Sequence, residues 1–227
     1  MFTGLVEEVG VLLTLARRGP SARARVATKL GAEGDPLALG ESIAVNGVCL
    51  TVDAINGDGF EADVSIETLS ATTLGRLGPT SRVNLERATQ LGGRMGGHTV
   101  LGHVDGLITM VELATEGEAR RATFEAPAEL GPLLARKGSV AIDGVSLTIN
   151  TVSDAPGATR FSVMWIPHTL SRTTLPELRP GSAANVEVDV LARYVARQLG
   201  FAAASSSQSD GDREASLLEK LRSGGYM

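Results

Sequence analysis

The ten residues 43–52, IAVNGVCLTV, return at residues 140–149 as VAIDGVSLTI. An internal repeat constrains topology more than any other sequence feature, because both copies must fold as the same unit. Gly47 falls on Gly144 at an offset of 97, which lays ESIAVNGVCLTVDAI on GSVAIDGVSLTINTV with apolar positions matched throughout. Gly4 falls on Gly102 at an offset of 98, and ETLSATTL lies on HTLSRTTL with Thr68 on Thr169 at 101. The growth from 97 to 101 places a four-residue insertion between INGDGF and VSDAPGATRF, where a hairpin tip absorbs length cheaply. The chain therefore divides into two homologous halves, 1–97 and 98–188, then a helix over 189–201 and a tail over 202–227.

Each half reads as strand. Asn46-Gly47 and Asp143-Gly144 interrupt β-branched runs and are strong signals for a two-residue hairpin turn. Past the turn, Val48, Leu50 and Val52 face one way and Cys49, Thr51 and Asp53 the other; Val145, Leu147 and Ile149 oppose Ser146, Thr148 and Asn150 likewise. Short strands with frequent turns predict an all-β chain, one small antiparallel barrel per half. The Pro-led stretches DPLALG and GPLLARKG predict short helical plugs. In DVLARYVARQLGF, Val190, Leu191, Tyr194, Val195 and Leu199 recur at helical spacing, with Asp189 as N-cap and Gly200 as stop. That stripe packs against another subunit or covers a barrel mouth. AAASSSQSDGD reads as a low-complexity linker, and REASLLEKLRSG as at most a short helix.

Composition excludes several classes. A net charge of −5 and 4% aromatic residues supply neither a phosphate-binding surface nor a base-stacking platform, so no nucleic-acid partner is expected. Apolar runs fall short of a membrane span, and MFTGLVEEVG has no basic leader segment. A lone cysteine, Cys49, forms no internal disulfide and suits a reducing cytoplasm.

The chemistry-bearing candidates are few. Cys49 and Thr51, with Ser146 and Thr148, are either ordinary outward strand positions or repeated small polar groups that leave room for a ligand. His103, in LGHVDG, stands where the first half has Leu5, so one half has an acid–base group the other lacks. His98 and His168 do not complete a metal site with it, and no metal is expected. GGRMGGH lacks the Lys-Ser/Thr ending of a phosphate loop. Glu67 and Asp189 are isolated acids; Asp189 is open to a capping or a catalytic role.

MFTGLVE, the pair NGVCLTV and DGVSLTI, GGHTVLGHVDG, and the pair ETLSATTLG and HTLSRTTL together resemble the riboflavin synthases of the alpha-chain type. The likeness runs from residue 1 to about 200. It implies two six-stranded Greek-key barrels in tandem plus a C-terminal helix, each barrel binding one 6,7-dimethyl-8-ribityllumazine. A four-carbon unit would pass between two such molecules, giving riboflavin and 5-amino-6-ribitylaminouracil, with no cofactor. It also implies a homotrimer held by the C-terminal helix, with N- and C-terminal barrels of neighbouring subunits face to face. Two identical reactants explain a doubled pocket, since orienting them supplies about 7–11 kcal/mol of the barrier reduction. A non-catalytic lumazine- or flavin-binding protein of the same fold is the alternative, and a reductase's flavin-binding barrel lacks its downstream nucleotide domain here.

Carried over by position, the resemblance gives an N-terminal pocket of Gly4, Leu5, Val6, Cys49, Leu50, Thr51, Asp63, Val64, Ser65, Ile66, Glu67 and Thr68. The C-terminal pocket comprises Gly102, His103, Val104, Lys137, Ser146, Leu147, Thr148, Trp165, Ile166, Pro167, His168, Thr169 and Leu170. His103, Ser146, Thr148, Cys49 and Asp189, with Phe2 near the ring, are the implied chemical contributors. His103 would move the proton and Ser146 with Thr148 polarise or add to the ring. Ile66 and His168 depart from the family's usual Lys and Glu and alter the partners of the ribityl hydroxyls or the local packing.

Overall fold

The computed structural model describes residues 1–32 and 34–200. The first half forms β1 (Glu8–Arg18), β2 (Ser21–Ala27), β3 (Ser42–Val45), β4 (Val48–Thr51), β5 (Ala54–Asn56), β6 (Gly59–Val64), α1 (Ile66–Ala71) and β7 (Ser81–Arg87). The second forms β8 (Gly106–Glu116), β9 (Ala119–Pro127), β10 (Ser139–Ile142), β11 (Val145–Ala155), β12 (Ala158–Trp165), α2 (Pro167–Arg172) and β13 (Ala183–Val188). Both repeats thus give the same element order, except that β4 and β5 together stand where the second half has β11.

The second half closes as a six-stranded barrel, β10-β11-β12-β9-β8-β13. The first is a seven-stranded sheet, β4-β3-β7-β1-β2-β6-β5, in place of the expected closed barrel of six strands. Its two ends, β4 and β5, are successive pieces of one strand broken at Val52 and Asp53. In β11 the matching stretch carries only a register shift between Ile149 and Thr151. At the break the Asp53 carboxylate turns outward to Arg23, which also holds Glu61 and Asp63. The insertion lies where expected: β4 to β5 covers residues 48–56 against 11 residues in β11, and β6 has 6 residues against 8 in β12. Each arm of the hairpin is longer by two.

The alternation is as read. Val48, Leu50 and Val52 are buried in one core, and Val145, Leu147 and Ile149 in the other. Both hairpin turns are tight and left-handed, with φ of 47° and 76° at Asn46 and Gly47 and 44° and 78° at Asp143 and Gly144. That is the backbone of a type I′ turn, whose twist matches the strands. The turns meet back to back: a Cβ on Gly47 would lie 2.7 Å from Gly144 N, so glycine is required at both.

A polar seam joins the barrels around this contact. Asn84 Nδ2 donates to Asp143 O, and Asn185 Nδ2 to Asn46 O. In return, Asn84 N donates to Asn46 Oδ1 and Asn185 N to Asp143 Oδ1. Thr73 N and Thr174 N then donate across the seam to Asn185 Oδ1 and Asn84 Oδ1. Buried polar groups are tolerated because each finds a partner, and the pairing has local twofold symmetry. A small apolar cluster of Phe2, Ala44, Val100 and Ala141 completes the interface.

One expectation fails. DPLALG is not helical, and in the second half a 3₁₀ turn covers Ala128–Leu133 and stops before ARKG. Arg87 Nη1 donates to Asp35 O, and the glycines at 31, 34 and 40 hold φ of 81° to 83°. A backbone carbonyl given to a side chain and left-handed glycines on either side preclude helical hydrogen bonding there.

Residues 190–200 are helical, directly after Asp189. Leu191, Tyr194, Val195 and Leu199 are all exposed on it. The last residue of the helix expected over 189–201, the linker and the short helix of REASLLEKLRSG lie outside the described residues. Among the described residues, no helix is long and apolar enough to cross a membrane.

Candidate active site

Two short arms, residues 2–6 and 100–104, run antiparallel between the barrels and pair at Phe2 and Val100. Each is gripped by a buried carboxylate. Glu86 on β7 accepts from Thr3 N at 2.6 Å, Thr3 Oγ1 at 2.7 Å and Gly4 N at 2.9 Å. Glu187 on β13 accepts from Leu101 N at 2.6 Å, Gly102 N at 2.9 Å and His103 N at 3.0 Å. Burial pushes both carboxyls up, and the backbone donors pull them partly back.

Past its clamp, each arm crosses to the opposite barrel. Ser146 N donates to Gly4 O at 2.8 Å, and Cys49 N to Gly102 O at 3.0 Å. A Cβ on Gly4 would fall 2.6 Å from Ser146 Cβ, and one on Gly102 would fall 2.5 Å from Cys49 Cβ. Val6 packs on the C-terminal core and Val104 on the N-terminal core. The grouping expected from the linear sequence is therefore exchanged: Gly4, Leu5 and Val6 belong with Ser146, and Gly102, His103 and Val104 with Cys49. The cause is the arm geometry, since a strand leaving one barrel completes its hydrogen bonds on the next.

A cavity of about 400 Å³ opens beside Cys49, walled by Val48, by Gly102, His103 and Val104, and by Glu67, Thr68 and Ala71 of α1 with its C-cap Thr72. Ser65 caps α1, its Oγ accepting from Thr68 N at 3.1 Å, and Ile66 is exposed. Thr51 is exposed farther along the strand, whereas Leu50 and Val64 lie in the barrel core. Asp63 is tied to Arg23 at 3.0 Å. A larger hollow, about 550 Å³, adjoins Glu41, Glu86 and Arg87, but Arg87 already spans it by pairing with Asp35 and Glu41. The smaller cavity borders Gly102 and Cys49, whose contact is one of the two repeated between the halves.

On the other side, α2 is the counterpart of α1. Ile166, Pro167 and His168 are exposed, Thr169 and Leu170 are half-buried, and Leu170 packs on the core. Thr148 is exposed, and Leu147 and Trp165 are core residues. The buried Trp165 Nε1 has no hydrogen-bond partner among the described residues. Lys137 is exposed, with φ of 69°, and donates from its N to Ile149 O. Phe2 is fully buried between the barrels, a packing position with no surface open to a ring.

The sequence reading missed His98. Its Nδ1 lies 2.7 Å from Ser146 Oγ, and its buried Nε2 has no hydrogen-bond partner among the described residues. Burial lowers the imidazole below its ordinary value, against a smaller upward pull from Asp189. The histidine beside Ser146 is thus His98, while His103, assigned to that pocket from the sequence, stands with Cys49. The available signal is the pair of histidines five residues apart in GGHTVLGHVDG, of which the first is considered above only as a metal ligand. Among the described residues, no three of His, Cys, Asp and Glu converge as a metal site.

A family model described as "Lumazine binding domain" matches residues 3–88 and again residues 101–189. Riboflavin synthase of Brucella abortus is 43% identical over 202 residues, covering 87% of this chain and 97% of that protein. Riboflavin synthase of Mycobacterium bovis is 44% identical over 207 residues, with the same coverage, and that of Bacillus subtilis 38% over 208 residues, covering 92% and 94%. The crystal structure of LumP complexed with riboflavin aligns with a TM-score of 0.72 at 26% identity, over 83% of this chain and 99% of that one. With its lumazine-binding domain present twice and its full-length likeness to these enzymes, the chain belongs to the riboflavin synthase family.

Proposed function

We propose that this enzyme is a transferase acting on two molecules of 6,7-dimethyl-8-ribityllumazine, one in each pocket. Four carbons leave one lumazine and join the other, giving riboflavin and 5-amino-6-ribitylaminouracil, so the pair dismutates without an external oxidant or reductant. The observation that carries this reading is the duplicated arm contact, Gly102 on Cys49 and Gly4 on Ser146, the same approach made twice beside different side chains. Matched sites orient identical reactants, and different side chains let one lumazine donate and the other accept.

In the C-terminal pocket, a His98 proton on Nε2 leaves Nδ1 free to accept from the Ser146 hydroxyl, which readies Oγ, or a water beside it, for addition to ring carbon 7. In the N-terminal pocket, His103 and Cys49 flank the partner lumazine, whose 7-methyl proton must leave. Asp189 acts through its charge on His98, and Thr148 and Thr51 extend each polar wall. The exposed apolar residues Leu191, Tyr194, Val195 and Leu199 support assembly through the terminal helix as a homotrimer, with each active site shared by two subunits. A cytoplasmic location fits the lone cysteine.

Incubating the pure protein with the lumazine alone tests the reading. Riboflavin absorbance growing in equal amount with the pyrimidine product is the expected result. The likeness to LumP favours one alternative, a lumazine- or flavin-binding protein without activity. Stable fluorescence of bound, unconsumed lumazine would establish that alternative instead.

A further inference from the structure

Each arm hangs on one carboxylate. Residues 3–6 and 101–104 lie outside the strands, and the arms pair with each other at the isolated Phe2–Val100 bridge. Three successive amides of the second arm, those of Leu101, Gly102 and His103, all donate to Glu187. In the first arm Thr3 N and Gly4 N donate to Glu86 directly. Leu5 N reaches the same carboxylate through Thr3 Oγ1, which accepts from Leu5 N at 3.3 Å and donates to Glu86 Oε1 at 2.7 Å. Both glutamates are only 5% exposed. A charge buried so deeply costs stability unless its donors are in place, and backbone bonds to a carboxylate are about twice as strong as those to a neutral acceptor.

The two grips work crosswise. Glu187 stands on β13 of the C-terminal barrel, yet Gly102 and His103, which it holds, wall the cavity beside Cys49 in the N-terminal barrel. Glu86 stands on β7 of the N-terminal barrel, yet Gly4, which it holds, lies against Ser146 and accepts from Ser146 N at 2.8 Å. The same arm ties down the partner of that serine: His98 N donates to Thr3 O at 3.1 Å, and His98 Nδ1 lies 2.7 Å from Ser146 Oγ.

We propose that Glu187 is the positioning residue for the Cys49–His103 site and Glu86 that for the Ser146–His98 site, so that each half of the chain sets the geometry of the chemistry on the other. This rests on the reading that lumazine reacts at these groups. Both carboxylates act through the arm amides rather than on the substrate. Glu187 fixes the backbone that carries His103 beside the cavity, and Glu86 fixes the backbone against which Ser146 and His98 stand. A mere scaffold would make the two carboxylates equivalent, whereas a positioning role makes each specific to the opposite barrel.

Glu187→Gln and Glu86→Gln each set an amide donor against the arm donors, and the intact chain holds one reporter for each site. Cys49, its sole cysteine, reports by alkylation rate, and His98 by its imidazole nitrogen resonances. Glu187→Gln should speed Cys49 alkylation at least ~10-fold, the factor that one orphaned buried amide is worth, and leave the His98 resonances in place. Glu86→Gln should shift the His98 resonances and leave Cys49 alkylation near the wild-type rate. Both should lose more in kcat than in lumazine affinity, because misplacing a reacting group slows the step more than it weakens binding. Where a glutamine variant does not fold, Glu187→Asp and Thr3→Val give the same two patterns in weaker form, the second by removing the Leu5 relay with both carboxylates kept. Equal response of both reporters to either substitution, or no response, overturns this proposal alone while the wild type still consumes lumazine. A wild type that neither binds nor consumes lumazine overturns the two-pocket reading with it.

Discussion

The Nδ1 of His98 lies 2.7 Å from Ser146 Oγ, and at the local offset of 98 this histidine has no counterpart within residues 1–97. Cys49, the matched residue of the other pocket, instead faces the arm that carries His103. The chemical asymmetry between two inherited copies therefore comes from which histidine reaches which barrel.

His98→Ala should lower kcat about 100-fold, the lower end of what general base catalysis contributes, with lumazine affinity nearly unchanged. Combining it with Ser146→Ala should cost little more than either alone, because residues acting as a unit are not additive. Rapid-mixing turnover and lumazine fluorescence titration measure both; additive losses would show that the two act separately.

His103→Ala should slow turnover more than it weakens ligand binding, since its imidazole lines the Cys49 cavity. Its effect should add to that of His98→Ala, because the two stand in different pockets. Steady-state kinetics of the double variant decides this, and a loss no larger than the single ones would place both histidines in one pocket.

Gly102→Ala should be costly, because the residue has φ of 79° and its Cβ would fall 2.5 Å from Cys49 Cβ. Strain and displacement of the arm together destabilise by about 2–4 kcal/mol. Gly19→Ala is the control: φ is 61° there with nothing within 4 Å, so only the backbone cost of about 1 kcal/mol applies. Thermal melts of the two variants should rank in that order; the reverse ranking would mean the arm contact is dispensable.

Asp143 lies in the seam where the first half has Asn46, and burial pushes its carboxyl from 3.8 up to about 7. A raised folded-state value stabilises below pH 3.8, where the group is protonated in both states. That contribution is lost as pH rises towards about 7, where only the unfolded chain ionises freely. The full difference corresponds to about 4 kcal/mol. Asp143→Asn should thus raise stability at pH 8 and change little at pH 4, as read by denaturant midpoints across that range. An unchanged slope of stability with pH would remove Asp143 as its source.

Deleting residues 191–227 should leave both barrels folded and yield monomers with little activity, given the exposed Leu191, Tyr194, Val195 and Leu199. Sedimentation and turnover measured together check it. A fully active monomer would contradict a site shared between subunits.

Much of this architecture was legible in advance. The Asn-Gly and Asp-Gly turns, the alternation of Val48 and Cys49 with Val145 and Ser146, and the hairpin insertion all rest on local backbone preference or period-two burial. Such signals act between near neighbours in the chain. The missing helix at DPLALG shows their limit, since Arg87, some fifty positions away, takes the carbonyl of Asp35.

The sequence by itself determined the doubled fold, the family and the residue types at each pocket, because repeats and turn chemistry are properties of chain order. Only the tertiary structure decided which residues meet. Glu86 and Glu187 hold the two arms at the seam, and each arm then satisfies its backbone on the far barrel, so Gly4 reaches Ser146 and Gly102 reaches Cys49. Pairing between positions so distant in the chain follows from where buried carboxylates find donors in space, and nothing in linear spacing encodes that.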